Sequence, residues 1–153
     1  MVFCHQKPKH CFVACCAALL GRSTFADQET IVAQFPDELH GAEGNGVPVS
    51  KDAIEKILFG LGLCDVPLQM ALSEKDDDAI PVIEFLQTST PSNLENMVLI
   101  LRDPTNHAIL PRKAHLDGLE VMDPEATDYS RIRWTDLSSR MPYILLLKKS
   151  QNQ

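Results

Sequence analysis

The sequence lacks the features that would place it in a special class of protein. No apolar run reaches the roughly 18 residues of a membrane-spanning helix, and the chain has no internal repeat or low-complexity tract. Its N-terminus does not show the charge, apolar core and small-residue cleavage site of a secretory signal. With 153 residues, only 7 of them glycine, and 44% hydrophobic content, we expect one globular domain over residues 1–153.

Basic residues are too few for a nucleic-acid-binding surface. The chain has 14 Lys and Arg against 21 Asp and Glu, a net charge of −7, whereas such surfaces usually carry a basic excess on one face. The largest basic clusters, Lys148 with Lys149 and Lys7 with Lys9, are too small to reverse this balance. We therefore expect no nucleic acid among its partners, and the lack of a long apolar run predicts no membrane span.

The odd number of cysteines disfavours a disulfide framework. Five cysteines occur, and Cys15 and Cys16 are adjacent within an apolar run. Reduced thiols in a cytoplasmic setting fit this pattern better. A bacterial effector exported without a leader peptide would show the same features, so both locations stay open.

The first half of the chain, from residue 11 to about 62, carries helical signals. The apolar run "CFVACCAALL" ends at Gly21, which suits the left-handed backbone of a helix C-terminus. The run "STFADQETIVAQF" offers Ser23 or Thr24 as a cap, and "SKDAIEKILFGLG" offers Ser50. A glycine-rich loop, "HGAEGNGVP", separates the last two predicted helices.

The second half, from residue 96 to about 149, predicts strands. The runs "NMVLILRD", "HAILPRK", "LEVMD" and "PYILLLKK" are apolar or alternating, and Asp-Pro or Asp-Gly pairs punctuate them. This pattern is typical of an antiparallel β meander. We therefore expect an α+β domain in which helices pack on one side of an antiparallel sheet.

A candidate nucleophile stands at the start of the first predicted helix. The ten residues from Cys11 to Leu20 include no charged or amide side chain, which predicts a helix buried on every side. The unpaired N–H groups of its first turn and the helix dipole favour a thiolate at Cys11. The Cys11 N–H could also meet a developing oxyanion, and Gln6, five positions upstream, could supply a second donor.

Two other interpretations of this region stay open. Buried cysteine is common in protein cores, which is the interpretation we prefer for Cys15 and Cys16. Potential metal ligands are also concentrated here: Cys4, His5, His10, Cys11 and Cys15. Zinc sites usually need paired ligands separated by roughly two to four residues across a turn, and no such pair precedes the helix.

A candidate base and its orienting acid come from the strand half. His107 opens one predicted strand and Asp123, sixteen positions later, closes the next, with a turn at Asp117-Gly118 between them. Such positions can lie side by side at the same end of a sheet. With Cys11 they give the chain order nucleophile, base and orienter. His115 lies next to the turn, where we expect it to be exposed to solvent.

The pattern resembles the papain-like cysteine peptidases. It consists of Gln6, Cys11 opening an apolar helix, "HA" at His107-Ala108 and an acid at Asp123. Within that superfamily, "VMDP" and the later "RWTDL…YILLL" are most similar to the bacterial double-glycine leader peptidases, whose acid is an aspartate followed by proline. The interval of five from Gln6 to Cys11 is similar to that of the Josephin-type deubiquitinases. The resemblance covers nearly the whole chain.

The resemblance implies a papain-like fold and a thiol mechanism that needs no metal and no organic cofactor. It makes Cys11 the nucleophile, His107 the general base and later acid, Asp123 the orienter of the imidazole, and Gln6 an oxyanion-hole donor. The expected function is hydrolysis of a peptide or a side-chain amide by this catalytic triad, as in a cysteine protease or a glutamine deamidase.

A catalytically silent papain-like module that binds a peptide is the alternative. It would keep the fold while its groove holds a peptide without cutting it. Phe12 and the loop from His40 to Pro48 could fill or cover the site in such a module.

Overall fold

The computed structural model describes residues 2–39, 46–48, 50–66, 69–71 and 80–147. Of these, residues 69–71 and 80 are described by their backbone alone. The pair Lys148-Lys149 and most of the glycine-rich loop from His40 to Pro48 lie outside the described residues. Within the described ranges, no helix combines the length and the apolar character needed to cross a membrane.

The first half of the chain is helical, as the sequence predicts. Its helices are α1 (Cys11–Leu19), α2 (Phe25–Gln34), α3 (Pro36–Leu39) and α4 (Lys51–Gly60). Thr24 caps α2 in a capping box with Asp27, and the Ser50 hydroxyl accepts from the Ala53 N–H at the start of α4. Gly21 has φ of +75°, the left-handed conformation expected after α1.

The second half contains short helices as well as strands. In chain order the elements are β1 (Gln69–Ala71), α5 (Ile80–Thr88), α6 (Pro91–Leu94), β2 (Met97–Leu101), β3 (His107–Ala114), β4 (Gly118–Met122), β5 (Ser130–Arg133), α7 (Trp134–Ser139) and β6 (Pro142–Leu146). The strands of the described residues form one six-stranded antiparallel sheet in the order β1-β6-β2-β3-β4-β5. The fold is therefore α+β, as expected.

The prediction of an antiparallel meander is confirmed for β2, β3 and β4, but it does not include the pairing of β1, β5 and β6. Strand β6 pairs with β2, placing Leu99 opposite Ile144, and β1 pairs with the other edge of β6. Strand β1 has three residues, and β5, "SRIR", has no apolar run, so neither carries a local strand signal. The order of strands depends on long-range pairing, which local patterns do not encode.

The expectation that helices cover one side of the sheet is wrong. Val98 and Ile100 of β2 pack in one apolar cluster with residues of α1, α2 and α4. Leu99 and Leu101 pack in a second cluster with residues of α5, α6 and α7. Because side chains alternate along a strand, these clusters lie on opposite faces of the sheet. All five residues of β2 are buried, and such a strand needs cover on both faces.

Helix α1 is buried from Cys11 to Ala18, between α2 and the sheet. Every residue from Cys11 to Ala18 is buried, which confirms the prediction of a helix without a solvent-facing side. The helix contacts both α2 and β3. This packing brings the first residue of α1 against the first residues of β3.

Candidate active site

The chain turns sharply just before Cys11. The His10 N–H donates to the Lys7 carbonyl oxygen at 3.0 Å, and Lys9 has a positive φ of 61°. The His10 Nδ1–H donates to the Pro8 carbonyl oxygen at 2.7 Å. Helix α1 has no side-chain cap and no acidic residue in its first turn. No carboxylate of that turn therefore lies beside Cys11 at the positive end of the helix dipole.

The Cys11 sulfur is hydrogen-bonded to the strand it packs against. The Ala108 backbone N–H donates to Cys11 Sγ at 3.3 Å, across 97 residues of sequence. The His107 imidazole is also hydrogen-bonded to the Cys11 side chain. Two neighbouring residues of β3 thus converge on one sulfur, an arrangement suited to a sulfur that carries negative charge.

His107 and Asp123 form the second contact of the site. The His107 Nε2 lies 2.7 Å from the Asp123 Oδ1, which leaves Nδ1 for Cys11. Asp123 directly follows β4, and its Oδ1 also accepts from the Glu125 N–H at 3.0 Å. The Asp123 carbonyl oxygen accepts from the Ala126 N–H at 2.9 Å. A tight turn therefore fixes the carboxylate that holds the imidazole.

The charges of His107 and Asp123 stabilise one another. Burial disfavours the imidazolium, but the hydrogen bonds to Asp123 and Cys11 outweigh burial and raise the pKa of His107 to about 9. Burial also opposes the Asp123 carboxylate, but the hydrogen bond and the charge of His107 hold the pKa of Asp123 below its usual value. At neutral pH the site therefore holds an imidazolium between a carboxylate and a sulfur.

Gln6 lies at the same end of the fold as Asp123. Its backbone N–H donates to the carbonyl oxygen of Pro124, the residue after Asp123, at 2.8 Å. Gln6 is 7% exposed, and its side-chain oxygen has no hydrogen-bond partner among the described residues. An unpaired buried polar group costs about 1–3 kcal/mol, so it calls for an explanation such as a functional role. Rotation of the carboxamide by half a turn would present its N–H donors at the same place.

One group of described residues has the composition of a metal site. The ligand atoms of His107, Asp123 and Glu125 lie within 4.8 Å of one another. A cation there would have to displace the proton that His107 donates to Asp123. Within the described ranges, the cysteines and histidines near the N-terminus form no group of this kind.

The other candidates from the sequence have contacts of their own. Cys15 and Cys16 are fully buried in α1, and burial raises the pKa of both thiols, as expected of core residues. His115 is half-buried, so the expectation of an exposed side chain is wrong. Its Nε2 lies 3.4 Å from the Glu120 Oε1, and its carbonyl oxygen accepts from the Trp134 Nε1–H at 3.0 Å. Trp134, at the start of α7, therefore binds to this turn.

The reactive groups are closed off from solvent. Cys11 is 0% exposed and His107 is 1% exposed. Gly46 packs directly on the turn before Cys11, since a Cβ built on it would lie 1.9 Å from the Lys9 carbonyl oxygen. Beside this contact is a pocket of about 130 Å³, which is lined by Lys9, His10, Val13, Val32, Leu39 and Gly46. A molecule from solvent can reach the Cys11 sulfur only after local movement.

Gly46→Ala tests how far the turn before Cys11 depends on its contact with residues 46–48. Gly46 has φ of +96°, and the added Cβ would collide with the Lys9 carbonyl oxygen, so the variant bears both backbone strain and a clash. We expect the free energy of unfolding to fall by more than about 1 kcal/mol. Urea denaturation measures this change.

Gly21→Ala is the matched control. Gly21 has φ of +75° but no described atom within 4 Å of its added Cβ, so this variant bears backbone strain alone. The loss of stability should be smaller than in Gly46→Ala. Equal losses would show that the contact between Gly46 and Lys9 contributes nothing beyond the backbone conformation.

Sequence reasoning missed three contributions to this region. Ala108 supplies a backbone N–H, which no side-chain pattern reveals. Gly46 lies in the glycine-rich loop, but nothing in that loop indicates a contact with Lys9. Gln28 lies in the polar stretch "DQET", yet it is fully buried and binds the backbone on both sides of Gln6. Each of these contacts joins segments that are distant in sequence.

In comparisons with known proteins, no protein-family model and no curated protein matches this chain. A thiol, an imidazolium and a carboxylate in contact can attack an electrophilic carbon and transfer a proton to a leaving group.

Proposed function

We propose that this chain is a papain-like cysteine hydrolase that acts on a peptide or a side-chain amide. The observation that carries the proposal is the chain of hydrogen bonds from Asp123 through His107 to the Cys11 side chain. A buried N-terminal helix packed on an antiparallel sheet is compatible with a papain-like fold. The pattern around Asp123-Pro124 favours the bacterial double-glycine leader peptidases as the branch it resembles.

The proposed mechanism passes through a thioester on Cys11. The thiolate attacks the amide carbon, and the Cys11 N–H and the Gln6 carboxamide donate to the oxyanion that forms. The His107 imidazolium gives its Nδ1 proton to the leaving nitrogen as the C–N bond breaks. Neutral His107 then takes a proton from water, which attacks the thioester and releases the acid and Cys11. Asp123 accepts from the His107 Nε2–H throughout, and the scheme uses no metal or organic cofactor.

The same chemistry serves several reactions. Cleavage of a main-chain amide is peptidase action, loss of ammonia from glutamine is deamidation, and capture of the thioester by an amine is acyl transfer. None of the five cysteines is in a disulfide, which suits a reducing cytoplasm. An enzyme of the cytoplasm and an exported effector that modifies another protein both fit this chemistry.

One observation favours a second candidate, the catalytically silent peptide-binding module. Cys11 and His107 are almost completely buried, so a substrate carbonyl does not reach the sulfur in this conformation. Phe12, which could fill the site of such a module, packs into the core with the rest of α1. A silent module would keep the hydrogen-bonded triad closed while its groove holds a peptide without cutting it.

Selective alkylation of Cys11 separates the two candidates. All five cysteines are buried, so exposure does not distinguish them and selectivity reports chemistry at the sulfur. We expect iodoacetamide at pH 6 to modify Cys11 at least about 10-fold faster than the others, because an ordinary thiol is only about 0.3% ionised at that pH. Peptide mass spectrometry locates the label, and Cys11→Ser should abolish the fast reaction. Slow, equal labelling of all five would favour the silent module.

Gln6→Ala tests the proposed oxyanion donor. Reaction of Cys11 with p-nitrophenyl acetate passes through an oxyanion, whereas displacement of iodide from iodoacetamide does not. We therefore expect acylation of Cys11 to fall by about 10²-fold and its alkylation to stay unchanged. Release of p-nitrophenolate measures the acylation, and Gln87→Ala, at an exposed glutamine of α5, is the control. Wild-type acylation in Gln6→Ala would remove Gln6 from the site.

A further inference from the structure

The carboxamide of Gln28 is buried between α2 and the segment that precedes Cys11. Gln28 is 0% exposed, and a buried carboxamide is stable only when its donors and acceptor are paired. Its Oε1 accepts from the Lys7 N–H at 2.9 Å, and its Nε2 donates to the His5 carbonyl oxygen at 2.7 Å. The Nε2 also lies 3.5 Å from the Cys4 sulfur. Because an N–H only donates and a carbonyl only accepts, these partners fix the orientation of the Gln28 amide.

These backbone partners of Gln28 lie on either side of Gln6. The His5 carbonyl and the Lys7 N–H belong to the two peptide groups that join at the Gln6 Cα. A residue in a parallel sheet pairs with the neighbouring strand in the same way, because its N–H donates to one peptide group of that strand and its carbonyl oxygen accepts from the next. The Gln6 N–H itself donates to Pro124 at 2.8 Å. The backbone of Gln6 is therefore held from α2 and from the turn after β4.

The side chain of Gln6 lacks comparable support. Its carboxamide oxygen has no hydrogen-bond partner in the described part of the chain, so the backbone sets where the carboxamide lies. An oxyanion donor acts only when it is placed within hydrogen-bonding distance of the oxygen that becomes charged. Contacts that fix the Gln6 backbone therefore also place the donor.

We propose that Gln28 is a positioning residue for the oxyanion hole, holding the backbone of Gln6 so that the Gln6 carboxamide meets the oxyanion formed at Cys11. The proposal rests on the hydrolase function proposed above. The ion pair of Lys7 with Glu29 is a second contact between α2 and the segment before Cys11, but it lies at the surface. The Glu29 side chain is 62% exposed, so this pair contributes little and provides a comparison on the same helix.

Gln28→Met in the full chain keeps the volume of the side chain and removes its hydrogen bonds. We expect acylation of Cys11 by p-nitrophenyl acetate to fall by about 10-fold to 10²-fold, up to the effect of losing one oxyanion donor. Alkylation by iodoacetamide should stay at the wild-type rate, since it forms no oxyanion. Combined with Gln6→Ala, the Gln28 substitution should cause no further loss of acylation. Glu29→Ala is the matched control and should change neither reaction.

The outcomes separate this proposal from the hydrolase proposal. A folded Gln28→Met protein that is acylated at the wild-type rate overturns the positioning role and leaves the hydrolase intact. Equal falls in the rates of acylation and alkylation also overturn the positioning role, because they show that the substitution acts on Cys11 rather than on Gln6. A wild-type Cys11 inert to both probes overturns both proposals. If Gln28→Met does not fold by circular dichroism, Gln28→Glu, which keeps the acceptor for Lys7 but not the donor to His5, provides the same comparison.

Discussion

Replacing His107 with alanine should slow the alkylation of Cys11 at pH 6 by about 10²-fold. The imidazolium is the cation hydrogen-bonded to the Cys11 side chain, and an ordinary thiol at this pH is only about 0.3% ionised. The Ala108 N–H and the start of α1 remain in the variant, so part of the stabilisation of a thiolate should persist. The rate constant for iodoacetamide, followed by mass spectrometry of the Cys11 peptide, measures the effect.

His115→Ala is the control for loss of a histidine. His115 follows β3 at the end opposite His107, and its ring contacts Glu120 instead of a cysteine. In this variant, iodoacetamide should alkylate Cys11 at the wild-type rate. Unchanged alkylation in His107→Ala would mean that the imidazole is a structural partner of Asp123 and that the triad performs no chemistry.

Local patterns predict the elements of the fold better than their arrangement. The capped helices and the strands β2 to β4 follow from periodicity and turn residues that lie within each segment. The position of β6 between β1 and β2 follows from pairing between distant segments. The helical cover of the second sheet face could have been inferred from β2 itself, whose five apolar residues in a row leave no face for solvent.

The same contrast between local signals and long-range packing holds for the candidate site. Cys11 begins α1, His107 begins β3 and Asp123 directly follows β4, so the sequence identifies them as candidates before their contacts are known. The contacts that support them come from the backbone or from buried polar side chains. The Ala108 N–H on the Cys11 sulfur and the Gln28 carboxamide beside Gln6 depend on how α1 and α2 pack, and a single sequence does not encode that packing locally.

The paired charges of His107 and Asp123 set the pH range in which they stabilise the fold. Burial opposes both charges, but the pairing raises the pKa of His107 to about 9 and lowers that of Asp123. In an unfolded chain the pKa of a histidine is about 6.5 and that of an aspartate is about 3.9. The His107 contribution is therefore complete below about pH 6.5 and is lost as the pH rises through about 9. The Asp123 contribution is complete above about pH 4 and is lost as the pH falls through its lowered pKa.

Asp123→Ala should lower the pKa of His107 by about 1–3 units, because burial is then opposed by Cys11 alone. An NMR titration of the His107 ring measures this shift directly. The variant should also be less stable than the wild type, with the largest difference in the free energy of unfolding between about pH 4 and 6.5. That difference should shrink as the pH rises through about 9, where the wild-type imidazolium loses its proton.

Two further variants separate the charge of Asp123 from its place in the turn. Asp123→Asn keeps an oxygen that accepts from the His107 Nε2–H and from the Glu125 N–H, but it removes the charge, so we expect a smaller fall in the pKa of His107 than in Asp123→Ala. Asp117→Ala removes a 69% exposed carboxylate at the turn between β3 and β4 and should leave the His107 titration unchanged. If the pKa of His107 stays near 9 in Asp123→Ala, Asp123 serves only the turn, and the imidazole takes its orientation and its charge from Cys11.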